Sequence, residues 1–247
     1  MSIDIKICGL KTPETLDAAL DAGADFVGVV FFPRSPRNIA PEAAAELLAR
    51  ARGRAGVVAL VVDPDDALLE EVVGRVRPDL VQLHGHESLE RVAAIRARFG
   101  VPVMKAVGIA SAADLALAQA YAAVADRLLL DAKAPADARH PGGNGLVFDW
   151  ELIAGQNAAS LALDAEKPFM LSGGLTPGNV GEALGITHAR GVDVSSGVES
   201  APGVKDPALI VAFVQAARAA ARQIAPQTAP SGPTAGRVPA NQTSQGS

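Results

Sequence analysis

Two side chains with acid–base chemistry end short apolar runs of the sequence. Cys8, the only cysteine, closes IDIKIC before Gly9, and Asp131 closes RLLLD. A free cysteine is most often a small buried hydrophobic residue, but its thiolate can remove a proton where a cation or a helix N-terminus stabilises it. An aspartate at the end of a buried strand can cap a loop amide or, with a raised pKa, donate a proton. The two residue types make Cys8 a candidate base and Asp131 a candidate acid.

Two glycine-containing motifs predict an anion site. Ser172-Gly173-Gly174 leads into a helix that the pattern places from near Thr176, and Ser195-Ser196-Gly197 follows the run GVDVS. Glycines let the backbone approach an anion closely, and N–H groups at a helix start point towards it. Either motif alone is equally well explained as a tight turn. Their joint position after the last two strands favours phosphate.

Arg37 and His84 are further candidates for the site. The planar fork of Arg37, in SPRN, suits a carboxylate, with Arg34 as its competitor, although most loop arginines are solvated charges. For His84, in QLHG, the sequence leaves three roles open: a proton carrier, a substrate contact or a packed polar residue. No group of His, Cys and carboxylate residues has metal-ligand spacing, so we predict neither a metal nor a cofactor.

Eight short β-branched runs must position these residues. Most are continuously apolar, which is typical of strands buried on both faces of a parallel sheet. The runs are 3–8, 25–31, 56–62, 79–84, 101–107, 127–131, 167–171 and 191–195.

Alanine-rich helical segments separate the runs. In the first of these segments, Thr12 is the predicted N-cap, Pro13 the first helical residue and Gly23 the residue after the end. Eight strand–helix units predict a (βα)8 TIM barrel spanning residues 1–224, with a doubly wound open sheet as the alternative. Residues 225–247 are rich in proline, glycine, serine and threonine, which predicts a disordered tail.

Composition narrows the classes of function. The chain has 247 residues and a net charge of −5, with no dense basic block, so nucleic acid is not an expected partner. No apolar run reaches the roughly 18 residues of a membrane span, and no secretory signal is evident. One cysteine excludes an intramolecular disulfide and fits a reducing compartment. We therefore expect a cytoplasmic enzyme with no membrane contact and no obligatory protein partner.

Seven motifs in order resemble the phosphoribosylanthranilate isomerase family of tryptophan biosynthesis. The resemblance covers residues 3 to about 222. The motifs are KICGL (6–10), PRSPRNI (33–39), VQLHGHE (81–87), LLLD (128–131), FDW (148–150), LSGGLTPGNV (171–180) and GVDVSSGVE (191–199).

The resemblance implies an Amadori rearrangement of N-(5-phosphoribosyl)anthranilate to 1-(2-carboxyphenylamino)-1-deoxyribulose 5-phosphate. It implies that Cys8 is the general base, Asp131 the general acid and Arg37 the contact of the anthranilate carboxylate. It places the phosphate on the backbone of four residues. They are Gly174, Ser195, Ser196 and Gly197.

One motif departs from the family, because Asn144 stands in the loop 142–145 where a serine or threonine is usual. We expect this loop to close over the substrate, with the asparagine amide replacing a hydroxyl. Two alternatives stay open. One is another phosphate-binding barrel enzyme. A histidine-pathway ribonucleotide isomerase would carry an aspartate in place of Cys8. Indole-glycerol-phosphate synthase would need a lysine and glutamates lining the mouth, and Lys105 alone does not supply that set. The other is a non-catalytic phosphate-binding protein, which would have lost Cys8 or Asp131.

Overall fold

Eight parallel strands close into a barrel in the computed structural model, which describes residues 3–134, 142, 145, 147–154 and 169–224. Each strand pairs with the next in chain order, and the last pairs with the first, which confirms the predicted (βα)8 barrel over an open sheet. The strands are β1 (Asp4–Cys8), β2 (Phe26–Phe31), β3 (Gly56–Val61), β4 (Leu80–Leu83), β5 (Val103–Ile109), β6 (Arg127–Ala132), β7 (Phe169–Leu171) and β8 (Gly191–Val194).

Helices cover the outside of the barrel, and a short hairpin follows β8. The α-helices are α1 (Pro13–Ala22), α2 (Pro41–Leu48), α3 (Asp66–Val76), α4 (Leu89–Phe99), α5 (Ala112–Ala122), α6 (Val180–Thr187) and α7 (Pro207–Ile224). The hairpin strands are β9 (Glu199–Ala201) and β10 (Val204–Lys205). No helix among the described residues has the length and apolarity needed to cross a membrane.

Helix α1 shows how local sequence sets the boundaries of an element. The Thr12 hydroxyl accepts from the Thr15 N–H, Pro13 opens the helix and Gly23 ends it with φ 86°. A left-handed residue at this position satisfies the last carbonyls, which glycine does without steric cost. Leu16 is fully buried, so the predicted apolar face packs on the strands.

The helix after β7 begins later than the sequence pattern predicts. It starts at Val180 rather than near Thr176, because the Asn179 side chain holds the preceding turn. Asn179 accepts from the Thr176 N–H at 2.7 Å and donates to the Gly174 carbonyl at 3.0 Å. The loop after β7 therefore contains residues 172–179.

The barrel lumen has an apolar lower layer and a polar upper layer. Val58, Leu80, Met104, Leu129 and Met170 fill the lower layer with other small apolar residues. A much larger apolar cluster lies between the strands and the helices. Because the apolar layers stabilise the barrel, the carboxyl ends of the strands are left to carry polar groups. The predicted tail, 225–247, lies outside the described residues.

Candidate active site

A cleft of about 740 Å³, counted with the space at its mouth, opens at the carboxyl ends of the strands. All of the residues that the sequence and the family resemblance assign to catalysis or substrate binding line it. They are Cys8, Arg37, His84, Asp131, Gly174, Ser195, Ser196 and Gly197. The barrel thus brings together side chains that lie up to 189 residues apart in the chain. Asn144 and most of its loop lie outside the described residues.

Cys8 ends β1 with its thiol in a narrow part of the cleft. The residue is 3% exposed and packs with Val30 and Leu60. A Cβ on Gly28 would come within 3.1 Å of the sulfur, so this glycine provides the room for the thiol. Burial raises the pKa of Cys8, and the opposing effects of Lys6 and Lys205 do not outweigh it. The free enzyme therefore holds mainly the thiol.

Lys6 lies below Cys8 in the lumen and is fully buried. Its Nζ donates to Asp193 Oδ1 at 2.9 Å, and the two residues are register partners on β1 and β8. The other carboxylate oxygen of Asp193 accepts from Ser172 Oγ at 3.4 Å. Although burial favours the neutral amine, Asp193 and Cys8 hold the pKa of Lys6 above its ordinary value. The Lys6–Asp193 ion pair thus forms the floor beneath the thiol.

Asp131 ends the lumen side of β6 and meets His84 from β4. Its Oδ2 lies 3.2 Å from His84 Nε2, and its Oδ1 accepts from the Ala132 N–H at 2.9 Å. Gln82 Nε2 lies 3.1 Å from His84 Nδ1. The His84 ring thus lies between the Gln82 side chain and Asp131, against the candidate acid.

Two glycines allow the backbone to close around Asp131. A Cβ on Gly173 would lie 2.5 Å from the Ala132 nitrogen, and Gly173 has φ 90°. A Cβ on Gly142 would lie 2.6 Å from the His84 ring and 2.9 Å from Asp131 Oδ2. Gly142 belongs to the loop that the sequence predicts to close over the substrate, and it lies directly against the His84–Asp131 pair.

Arg37 is buried in an ion-pair cluster at the mouth. Its Nε and Nη2 donate to the two oxygens of Glu199 at 2.7 and 2.8 Å. Lys205 Nζ donates to the same carboxylate at 2.6 Å and to the Ser195 carbonyl at 2.9 Å. Two cations share one carboxylate, so the cluster is net positive. Although burial acts in the opposite direction, the two cations hold the pKa of Glu199 below its ordinary value.

The loops after β7 and β8 present backbone donors to the cleft. Among the described residues, the backbone N–H groups of Gly174, Ser196 and Gly197 have no hydrogen-bond acceptor. A Cβ on Gly197 would lie 1.8 Å from the Leu175 carbonyl oxygen, so the two loops approach as closely as glycine allows. The Ser195 hydroxyl is used internally, since it donates to the Cys8 carbonyl at 3.2 Å.

Sequence reasoning missed four charged residues of this site: Lys6, Asp193, Glu199 and Lys205. A signal existed for Lys6, because it lies two residues before Cys8 in a strand and so shares its face. Asp193 likewise interrupts the apolar run of β8. Nothing in the sequence pairs Arg37 with Glu199, which follows it by 162 residues.

No metal-binding group of three or more His, Cys, Asp or Glu residues occurs in the described part of the chain. A closed (βα)8 barrel with a thiol, a carboxyl group and backbone donors around one mouth is typical of a barrel enzyme with an anionic substrate.

Comparison with known proteins gives the family. The family model of N-(5'-phosphoribosyl)anthranilate (PRA) isomerase matches residues 5–216. The N-(5'-phosphoribosyl)anthranilate isomerase of Azorhizobium caulinodans is 60% identical over 220 residues, covering 89% of this chain and 93% of that protein. The one from Bradyrhizobium sp. (strain ORS 278) is 58% identical, covering 89% and 97%.

Solved structures agree. Phosphoribosyl anthranilate isomerase from Thermotoga maritima superposes with a TM-score of 0.75 at 34% identity, covering 88% of this chain and 99% of that one. A phosphoribosyl anthranilate isomerase in complex with reduced 1-(o-carboxyphenylamino)-1-deoxyribulose 5-phosphate has a TM-score of 0.74 at 33% identity, with the same coverage. The chain belongs to the phosphoribosylanthranilate isomerase family and is an isomerase of tryptophan biosynthesis.

Proposed function

We propose that Cys8 and Asp131 carry out the proton transfers by which this isomerase converts N-(5-phosphoribosyl)anthranilate to 1-(2-carboxyphenylamino)-1-deoxyribulose 5-phosphate. The observation that carries the proposal is their common position. Both side chains line one cleft at the carboxyl ends of β1 and β6, which also contains Arg37 of the cationic cluster and the backbone donors of the last two loops.

Asp131 acts first, as the general acid. Its proton goes to the furanose ring oxygen, the C1–O bond breaks, and the nitrogen lone pair forms a C1=N iminium. Protonation of a leaving oxygen by a positioned group typically contributes about 10² to 10⁴-fold. Among the described residues, Asp131 bonds His84 and the Ala132 N–H and pairs with no lysine or arginine.

Cys8 acts second, as the general base. The iminium acidifies the C2 hydrogen, and the thiolate removes it while the electron pair forms the C1=C2 bond of an enolamine. Protonation at C1 and loss of the C2 hydroxyl proton give the ketone, so the reaction is balanced as an isomerisation. The raised pKa of Cys8 makes the thiolate scarce before substrate binds. The positive iminium then favours the thiolate where it is needed.

The two ends of the substrate are anionic, and the two loop clusters suit them. Arg37 supplies a guanidinium fixed by Glu199 for the anthranilate carboxylate. The backbone N–H groups of Gly174, Ser196 and Gly197 receive the phosphate, while Ser195 orients that loop through its side chain. Holding both ends places the reacting carbons between base and acid and lowers the entropic cost of reaction.

His84 serves as the orienting partner of Asp131 in this mechanism. One ring nitrogen of His84 is hydrogen-bonded to Gln82 and the other to Asp131, so the ring cannot rotate without breaking a hydrogen bond. The contact with His84 therefore fixes the direction of the Asp131 carboxyl group.

The direct test is an assay of the purified full chain with freshly prepared N-(5-phosphoribosyl)anthranilate. Fluorescence of the anthranilate adduct should decay faster than in a protein-free control, and 1-(2-carboxyphenylamino)-1-deoxyribulose 5-phosphate should accumulate. A protein that is folded by circular dichroism and causes no loss of signal would overturn the proposal. We further propose that the enzyme acts in the cytoplasm without nucleic acid or an obligatory protein partner, as its composition predicts.

A further inference from the structure

We propose that the buried ammonium of Lys6 is the counter-ion of the Cys8 thiolate, and hence a positioning residue for the base. The inference rests on the proposed role of Cys8. It concerns a residue that does not line the cleft, so any effect of Lys6 on the reaction passes through the two lining residues beside it, Cys8 and Asp193.

The geometry places the two groups side by side in the lumen. Lys6 and Cys8 lie two positions apart on β1 and therefore point to the same side of the sheet. Both side chains reach the same point beside Gly28 on the neighbouring strand, since a Cβ there would lie 3.2 Å from Lys6 Cε and 3.1 Å from Cys8 Sγ. The lack of a side chain at Gly28 lets the lysine reach the level of the sulfur.

The hydrogen bonds of Lys6 leave the sulfur as its natural second partner. Lys6 Nζ has one oxygen acceptor within the described part of the chain, Asp193 Oδ1. Lys105, the other fully buried lysine of the lumen strands, has three: Glu87 Oε2 and the Leu83 and Gly85 carbonyls. An ammonium has three donors, so Lys105 is saturated by oxygen, whereas oxygen takes one donor of Lys6, whose side chain lies beside that of Cys8.

The residues packed directly against the thiol on the next two strands are uncharged: Gly28, Val30 and Leu60. The charged and titratable groups around it are Lys6 from β1, Asp193 from β8, Glu199 and Lys205 from the hairpin, Arg37 from the loop after β2, and Asp131 and His84 across the mouth.

Among these groups, Lys6 is the strongest that favours the thiolate. Burial raises the pKa of Cys8 most, Lys6 is the main influence lowering it, and Asp193 and Lys205 act more weakly in opposite directions. The contact is reciprocal, because Cys8 contributes to the raised pKa of Lys6.

The single cysteine makes the inference measurable without substrate. Only the thiolate reacts with iodoacetamide, so the pH dependence of Cys8 alkylation, followed by mass spectrometry, reports its pKa directly. Lys6→Met should slow alkylation at about pH 8 by about tenfold or more and move the midpoint upward, since a nearby opposite charge shifts a pKa by about 1 to 3 units.

Lys6→Met leaves Asp193 unpaired, so a second pair of variants guards against misfolding. Asp193→Asn and the double variant Lys6→Met/Asp193→Asn differ only in the ammonium, and alkylation should again be slower in the double variant. Lys105→Met is the matched control, because it removes a buried, ion-paired lysine at a distance from the thiol and should leave the alkylation midpoint unchanged.

The outcomes separate this inference from the proposed function. An upward shift in either background, absent from Lys105→Met, supports Lys6 as the counter-ion. No shift in any folded variant, or an equal shift in Lys105→Met, overturns it. If the midpoint moves while isomerase turnover does not, the Lys6–Cys8 coupling holds and the role of Cys8 as base fails.

Discussion

The two sides of the barrel mouth treat their titratable groups differently. On the thiol side, Cys8 is surrounded by ion pairs: Lys6 with Asp193, and Arg37 and Lys205 with Glu199. On the carboxyl side, Asp131 meets His84 and a backbone amide. The thiol side thus carries an excess of positive charge that favours an anion, whereas no lysine or arginine among the described residues pairs with the carboxyl group. This difference supports the proposed roles of Cys8 as base and Asp131 as acid.

The carboxyl side does contain a lysine, but that lysine is occupied. Lys105 bonds Glu87 at 2.8 Å and the Gly85 carbonyl at 2.7 Å. Glu87 in turn accepts from the Asp63 and Gly85 N–H groups, which fixes the loop that follows β4. A buried charge with every donor used stabilises structure, while one with a donor to spare can serve chemistry.

The largest effect is expected at the two reacting groups themselves. Cys8→Ala and Asp131→Asn should each lower kcat by at least about 100-fold, since each removes one positioned proton transfer. Steady-state assays with circular dichroism check this. Asp17→Asn, which breaks an ion pair with Arg50 on the outer surface, is the control and should keep normal turnover. Near-normal activity in both site variants would mean that the mouth does not divide into a base and an acid side.

Lys105→Met should show that the carboxyl-side lysine is structural. Removing one partner of a buried ion pair leaves Glu87 uncompensated, and the free energy of unfolding should fall by about 3–5 kcal/mol. Urea or guanidinium denaturation measures the change. A stable variant with a large loss of kcat would erase the distinction between the two sides.

Lys205→Met should weaken substrate binding on the thiol side. The lysine holds Glu199, which orients Arg37, and it also holds the Ser195 carbonyl of the phosphate loop. We expect KM to rise by at least about tenfold, as is typical when one partner of a buried charge pair is removed, with a smaller change in kcat. Competition by inorganic phosphate should weaken in parallel. An unchanged KM would show that the cluster does not brace the anion subsites.

His84→Leu should have a smaller effect, confined to the acid. Losing the hydrogen-bond partner of Asp131 should lower kcat by about tenfold, because one such bond contributes roughly 1.5 kcal/mol. KM should change little if His84 touches Asp131 rather than substrate. A rise in KM without a loss of kcat would instead make His84 a substrate contact.

The mildest prediction concerns the wild-type thiol without substrate. Because burial raises the pKa of Cys8, its alkylation rate should still be increasing above pH 9, the ordinary value for a cysteine thiol. The alkylation rate of an exposed thiol such as N-acetylcysteine, measured in parallel, should level off at a lower pH. If the rate of Cys8 levels off at the lower pH, the positive charge of the thiol side outweighs burial.

Most of the fold and the position of Cys8 and Asp131 at one rim follow from the sequence. Strand ends are visible as apolar runs, and closure of eight such strands brings the residues that follow them to one rim, which is why Cys8, His84 and Asp131 could be grouped. The Arg37–Glu199–Lys205 cluster could not, because it depends on how the hairpin after β8 folds back on the loop after β2. The predicted helix start near Thr176 was wrong, because the Asn179 side chain holds the preceding turn and the helix begins at Val180.

The measurement closest to the central claim traps the ring-opened intermediate. Each of the two variants, Cys8→Ala and Asp131→Asn, is mixed with substrate and cyanoborodeuteride, which reduces an iminium and places deuterium on C1. Cys8→Ala retains the acid and should yield acyclic amine labelled at C1, above a protein-free control. Asp131→Asn should yield no more than that control. Labelled amine from Asp131→Asn but not from Cys8→Ala would contradict the assignment of acid and base.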